Sequence, residues 1–250
     1  MDRRWRIGAV SYLNTRPLLL GLEQSDLMDH IELVKAYPAK IAQDLIEGKI
    51  DMGLVPVAIV PLLEQPQFVS RYCIGAEQEV ASVCIFSHVP MEQVEKIYLD
   101  YQSRTSVQLA KILLKLYWEK EVEFVQAEEG YIDLINGTTA GVIIGDRALA
   151  ALSQFPYVYD LATAWIKYTG YPFVFATWIA NKPMPADFME AFDKANAIGL
   201  EHIEQVVASV LPYHLDYDLH TYFTKNISYE FTEQKRKGLD LFLALLKNPL

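Results

Sequence analysis

RIGAVSYLNTRPLLLGL, residues 6–22, decides how the rest of this chain is read. Arg6–Tyr12 has the apolar content of a buried strand, and Arg16–Leu22 has the leucine content of a helix started by Pro17. Between them lie small and polar residues, Ser11, Tyr12, Asn14 and Thr15. Such a junction is either a plain capped turn or a seat for an anion at a helix N-terminus.

Working outward, strand and helix signals alternate. A strand is expected at Ile31–Ala36 and a helix at Pro38–Glu47, entered through proline and ended at Gly48. Lys49–Val55 reads as a strand, Val57–Leu63 as a short helix, and Phe68–Ile74 and Val80–Ser87 as extended pieces. A second block repeats the pattern. Lys96–Asp100 is expected as a strand, followed by a helix with Leu109, Ile112, Leu113 and Leu116 on one face. Glu121–Val125 and Gly141–Ile144 read as strands, Ile132–Asn136 and Asp146–Leu152 as short helices, and Tyr171–Ala180 as an extended aromatic run. Helices follow Pro185. The first has Phe188, Phe192 and Ala195 on one face and is expected to run to Leu211 before Pro212. The last has Thr232 as its N-cap and Leu239, Phe242, Leu243 and Leu246 on one face. The alternation predicts an α/β protein with parallel sheet and covering helices. If the chain forms two lobes, Val83–Ser87 and Tyr171–Trp178 are the candidate connections.

Bulk properties narrow the function. With 250 residues the chain can bury a large core, and 52% hydrophobic with 22% charged residues describes an ordered globular protein. The net charge of -10 disfavours a nucleic-acid partner but leaves room for a small anion held by local donors. No stretch approaches the roughly 20 apolar residues of a membrane span. The opening MDRRWRIGAVSYLN has basic residues but no sustained apolar run behind them, so a cytoplasmic location is expected. Cys73 and Cys84 lie in apolar runs, the setting of buried reduced thiols.

Four junctions share the design of the opening stretch: Val10–Thr15, Gly53–Val57, Asp100–Ser106 and Ile144–Ala148. In open α/β sheets the carboxyl ends of strands face the ligand crevice, where helix N-termini offer free N–H groups. Two such sets could clamp a ligand with two separated carboxylates. The plain alternative stays open at each junction: Asn14, Thr15, Ser103, Thr105, Ser106 and Asp146 are ordinary capping residues, and Arg16, Arg104 and Arg147 could be solvated charges. Glycine-rich phosphate loops, nucleophile elbows and zinc motifs are missing. His30, His88, His202, His214 and His220 all fall outside the four junctions. Trp165, Tyr168, Tyr171, Phe173, Phe175 and Trp178 could line a ring pocket or pack a core.

The blocks SYLNTRPL, GKIDMGLVPVA, VASV, LDYQSRTSVQLAKILL, GVIIGDRAL, VYDLATAWIKYTGYPFVFATW and YEFTEQKRKGLDLF, in this order, resemble the chorismate dehydratases of menaquinone biosynthesis by the futalosine route. The resemblance implies a type II periplasmic-binding-protein-like fold with a discontinuous first domain and two hinge strands. One lobe would comprise 1–86 and 176–250, the other 87–175. It implies loss of water from chorismate to give 3-[(1-carboxyvinyl)oxy]benzoate, with no metal or redox cofactor and no membrane or nucleic-acid partner.

On that resemblance Asn14 and Ser82 are the expected catalytic residues, Asn14 at the leaving hydroxyl and Ser82 donating to a carboxylate or assisting proton movement. Ser11, Arg16, Thr105, Ser106 and Asp146 are the expected substrate-binding residues. The sister family that makes dihydroxynaphthoate has histidine where this chain has Gly145. The base is then either Asp146 or the substrate's own side-chain carboxylate. Two segments depart from the family pattern, Gly75–Glu79, whose Glu77 and Glu79 are expected beside the pocket or in solvent, and Asp160–Ala162. The alternative function is that of a small-anion solute-binding or sensor protein of the same fold, without catalysis.

Overall fold

The computed structural model describes residues 4–210 and 216–247. In chain order the first part contains β1 (Trp5–Val10), α1 (Arg16–Glu23), β2 (Ile31–Ala36), α2 (Pro38–Ile46), β3 (Met52–Pro56) and β4 (Gln67–Ala76). The middle contains β5 (Val83–Ser87), β6 (Lys96–Leu99), α3 (Thr105–Leu116), β7 (Glu123–Gln126), β8 (Thr139–Ile144), α4 (Asp146–Ala151), β9 (Tyr157–Asp160) and α5 (Leu161–Thr169). Then come β10 (Phe173–Ala180), α6 (Ala186–Glu201), α7 (Ile203–Val210), α8 (Leu219–Thr221), β11 (Ser228–Glu230) and α9 (Glu233–Lys247).

Two sheets result, one in the order β11-β4-β10-β3-β1-β2 and the other β7-β6-β8-β5-β9. The expected parallel pairing holds for β1 with β2 and β3, and for β6 with β7 and β8. Elsewhere it does not. β10 runs antiparallel between β3 and β4, and β5 runs antiparallel between β8 and β9. The physical reason is the route of the chain. β5 is the first strand to enter the second sheet and β10 the strand that returns to the first, so neither is delivered by a right-handed βαβ crossover. Val83–Ser87 pairs wholly in the second sheet and Phe173–Ala180 wholly in the first. The crossings are therefore the segments just before them.

Local sequence explains most elements. Leu18, Leu19 and Leu22 of α1 and Leu109, Ile112 and Leu113 of α3 are buried, as their helical spacing requires. Thr232 Oγ1 accepts from the Lys235 backbone N–H at 3.3 Å and caps α9, which buries Leu239 and Phe242. Four elements fall where the sequence reading assigns nothing: β9, α5, α8 and β11. Asp160 caps α5 by accepting from Thr163 N–H at 2.8 Å, and β9 pairs its tyrosine-rich segment with β5. The helix expected from Pro185 to Leu211 is instead broken at His202, whose φ of -121° and ψ of 45° are non-helical; Leu211 and Pro212 lie outside the described residues.

The aromatic run is core. Trp165 meets Phe173 edge-on at 5.3 Å, Phe173 meets Phe242 at 5.1 Å, and Trp178 meets Phe192 at 4.8 Å, all fully buried. Burial of each such ring contributes about 1.5–3 kcal/mol. Trp178 Nε1 donates to Asn196 Oδ1 at 3.2 Å, so its polar edge is satisfied inside the core.

Candidate active site

All four strand-to-helix junctions contribute to one cavity of about 60 Å³ between the two sheets. From the first sheet come Val10, Tyr12, Asn14 and Thr15 at the end of β1 and Pro56 at the end of β3. From the second come Ser103–Ser106 after β6, and Ile144 with Gly145 after β8. Pairing β1 with β3 and β6 with β8 brings the carboxyl ends of like-directed strands to the same edge.

Gly145 has φ +66° and ψ -147°, a backbone that residues with a Cβ rarely adopt. A Cβ there would stand 2.9 Å from the Tyr12 ring. A side chain at position 145 therefore has no room unless Tyr12 moves. The Tyr12 hydroxyl donates to Gln102 Oε1 in the loop after β6, and burial pushes its pKa up. Further bonds join the two sides. Leu13 N–H donates to Asp146 Oδ1 at 3.0 Å, Ala58 N–H to Thr105 Oγ1 at 3.1 Å, and Ala39 N–H to the Gln102 carbonyl at 3.3 Å.

The expected residues divide into three groups. Asn14, Thr105 and Ser106 line the cavity. Thr15 occupies the N-cap of α1 but makes no side-chain capping bond; its Oγ1 instead donates to Asn14 Oδ1 at 3.2 Å, and the Tyr229 hydroxyl holds the Asn14 carbonyl at 3.0 Å. At α3 the capping side chain is Ser103, whose Oγ accepts from Ser106 N–H at 3.1 Å. Ser82 is fully buried behind this wall, with Oγ accepting from the Tyr222 hydroxyl at 2.8 Å. Ser11, Arg16 and Asp146 line a separate depression of about 280 Å³ with Lys35 and Ser209, on the far side of Leu13. Burial raises the pKa of Asp146, against the hydrogen bond from Leu13 and the nearby Arg147 charge.

The three arginines differ. Arg147 is tied to the buried Asp100 carboxylate at 2.8 and 2.9 Å, where Tyr131 and Ile144 also donate. Arg16 leans on Glu23 at 3.7 Å. Arg104 alone of the three lines the cavity, and it makes no ion pair among the described residues. Its position beside the α3 N-terminus was not separable from the other two by sequence. Tyr222 was also missed, because nothing in its sequence neighbourhood marks a site.

The departures from the family pattern lie elsewhere. Glu77 pairs with Lys235 at 3.5 Å and accepts from Ser228 at 3.0 Å, on the β11 edge. Glu79 faces a depression formed with Tyr117, Trp118 and Asp160. Neither lines the cavity. Asp160 holds the turn before Ser82, with Oδ2 accepting from Val80 N–H at 2.9 Å and Ala81 N–H at 2.8 Å.

Other reactive groups stand apart. Cys73 and Cys84 are buried and unpaired; burial pushes the Cys73 thiol up to about 12 and Cys84 also upward. None of the described histidines lines the cavity, and His214 lies outside the described residues. Of the six aromatic residues noted in the sequence, Phe175 lines it. Among the described residues no group of three or more His, Cys, Asp and Glu side chains converges to hold a metal, and no helix is long and apolar enough to cross a membrane.

Comparison with known proteins places this architecture. Protein AF1704 from Archaeoglobus fulgidus superimposes with a TM-score of 0.75 at 13% identity, covering 98% of this chain and 96% of that one. The periplasmic aliphatic sulphonate binding protein SsuA of Escherichia coli gives 0.63 at 14% identity, covering 100% and 95%. A Candida albicans protein with the generic periplasmic binding protein fold gives 0.65 at 13%, covering 98% and 90%. The fold is thus the two-lobed, type II periplasmic-binding-protein-like one. In sequence, the chain is 26% identical to a chorismate dehydratase of Thermus thermophilus over 269 aligned positions, 99% of this chain and 97% of that protein. A family model described as menaquinone biosynthesis matches residues 5–248, and the chain belongs to that family.

Proposed function

We propose that this protein is a chorismate dehydratase, a carbon–oxygen lyase that removes water from chorismate to give 3-[(1-carboxyvinyl)oxy]benzoate. The observation that carries the reading is the likeness to a protein of that name over nearly the whole of both chains. Family membership supports the same pathway, and the cavity offers donors of the type the reaction needs.

Chorismate presents two carboxylates and a hydroxyl on a cyclohexadiene. In the elimination a base takes the C3 proton, its electron pair forms the new ring double bond, and the C4–O bond breaks. The hydroxide leaves with a proton as water. Aromatisation drives the step, so the protein's part is orientation and stabilisation of the departing oxygen. The Asn14 amide lines the cavity and is assigned to the leaving hydroxyl, with the Ser82 hydroxyl behind it. Thr105, Ser106 and Arg104 are assigned to a carboxylate, where the α3 N-terminus adds its dipole. Asp146 lies outside the cavity, bonded to Leu13 N–H, which favours the substrate's own side-chain carboxylate as the base.

The cavity of about 60 Å³ has room for about two waters, while ligand sites of this kind span hundreds of Å³. Substrate therefore enters by parting two lobes, one built on each sheet, whose boundaries fall just before Val83 and Phe173 rather than at 86/87 and 175/176, and by breaking bonds such as Leu13 to Asp146 and Ala58 to Thr105. Incubation with chorismate, followed by ultraviolet absorbance and mass spectrometry of the product, tests the reading. Conversion of the diene spectrum to that of a substituted benzoate is expected. Binding with an unchanged spectrum would identify a receptor or sensor instead.

A further inference from the structure

Outside the cavity lining, one side chain reaches two of the site residues. The Tyr222 hydroxyl is fully buried, donates to Ser82 Oγ at 2.8 Å and lies near the Asn14 side chain. Burial, with the nearby Asp146 and Tyr217, drives its pKa far above the ordinary phenol value, so the hydroxyl keeps its proton and acts as donor. A serine hydroxyl has one hydrogen to give. Because Ser82 Oγ accepts from Tyr222, that hydrogen is free, and among the described residues Ser82 Oγ donates to nothing.

The surrounding backbone is built to hold this arrangement. Tyr222–Asn226 is a π-helix, a rare element that frequently occurs at functional sites. Its last residue, Asn226, donates from Nδ2 to the Glu79 carbonyl at 3.1 Å and accepts from the Tyr217 hydroxyl at 3.0 Å. Residues 79–82 are thus gripped by Asn226 at one end and Tyr222 at the other, with the Asp160 carboxylate on Val80 and Ala81 between. Gly145 N–H donates to the Ser82 carbonyl at 2.8 Å. Within this grip Ala81 has φ +59°, a left-handed backbone that an alanine keeps only where its surroundings impose it.

We propose that Tyr222 is a positioning residue for the elimination: by donating to Ser82 it turns the serine hydrogen toward the cavity, where it joins the Asn14 amide at the departing hydroxyl. The inference rests on the dehydratase reading and adds to it a third residue that does not touch substrate.

The test compares unaltered protein with Tyr222→Phe, Ser82→Ala and the double variant, measuring kcat and KM on chorismate alongside thermal unfolding. Tyr222→Phe is expected to lower kcat roughly tenfold, with KM within about twofold. In the Ser82→Ala background it should cost little more, since the group it orients is gone. An unchanged kcat, or losses that multiply in the double variant, would overturn the proposal. Should Tyr222→Phe fail to fold, trifluorotyrosine at position 222 keeps the ring and hydroxyl but lowers the phenol pKa. Its kcat should change where Ser82 is present and not in the Ser82→Ala background, and no change, or the same change in both backgrounds, would overturn the proposal. Absence of turnover in the unaltered protein would remove the dehydratase reading and this inference together, an outcome distinct from an active protein indifferent to Tyr222.

Discussion

Leu13 N–H donates to Asp146 Oδ1 at 3.0 Å, linking the end of β1 on one sheet to the start of α4 on the other. The bond spends a buried carboxylate on closing the protein. Burial raises the Asp146 pKa above its value in the unfolded chain, about 3.9. The sign follows from linkage: the contribution is fully present below the unfolded value and is lost as pH rises through the folded one. Asp146→Asn keeps an acceptor for Leu13 but cannot ionise. Its melting temperature relative to the unaltered protein should therefore rise as pH is raised from about 3 to 7. Parallel melting curves across that range would show that the carboxylate is not desolvated. Turnover of the same variant should stay within a few-fold of normal, since the proposed base is the substrate's own carboxylate.

Gly145→Ala should be markedly destabilising. The substitution places a Cβ 2.9 Å from the Tyr12 ring and strains a φ of +66°, a backbone cost of about 1–3 kcal/mol before any clash. Gly48 also has a positive φ, +68°, but nothing within 4 Å, so Gly48→Ala carries a positive-φ cost with no clash. Urea unfolding should rank Gly145→Ala well below Gly48→Ala. Equal losses would mean that neither the Tyr12 contact nor the unusual ψ of Gly145 constrains this position.

Asn14→Ala and Ser82→Ala are each expected to lower kcat by more than tenfold, at least about 1.4 kcal/mol of barrier. Steady-state assays on chorismate decide it. If both variants keep normal turnover, the reacting part of the substrate lies elsewhere.

Arg104→Ala should act on binding. A charge-assisted hydrogen bond is worth about 1.5–3 kcal/mol, so KM should rise by roughly ten- to a hundredfold with kcat nearly kept. Arg104→Lys should recover part of the loss, as lysine keeps the charge without the planar fork. A fall in kcat at constant KM would move Arg104 from substrate capture to the chemical step.

The sequence by itself carried the local elements and the pieces of the site. Leucine spacing in α1 and α3, proline at the start of α1 and α2, and Thr232 before α9 act over a few residues, so their patterns survive in one dimension. Strand direction did not. β5 and β10 run antiparallel because of where the chain changes sheet, which no local propensity encodes. Junctions with the same look also parted company: Asn14, Thr105 and Ser106 reached the cavity, while Ser11, Arg16 and Asp146 face a different depression. Residues a few positions apart leave a turn on different sides, and only the packed turn fixes which. Tyr222 and Ser82 are 140 residues apart, and their 2.8 Å contact exists only because the π-helix and the Ala81 turn are pressed together in the folded protein. Tertiary structure decided that contact, since a hydrogen bond across such a separation depends on burial and orientation that chain order does not specify.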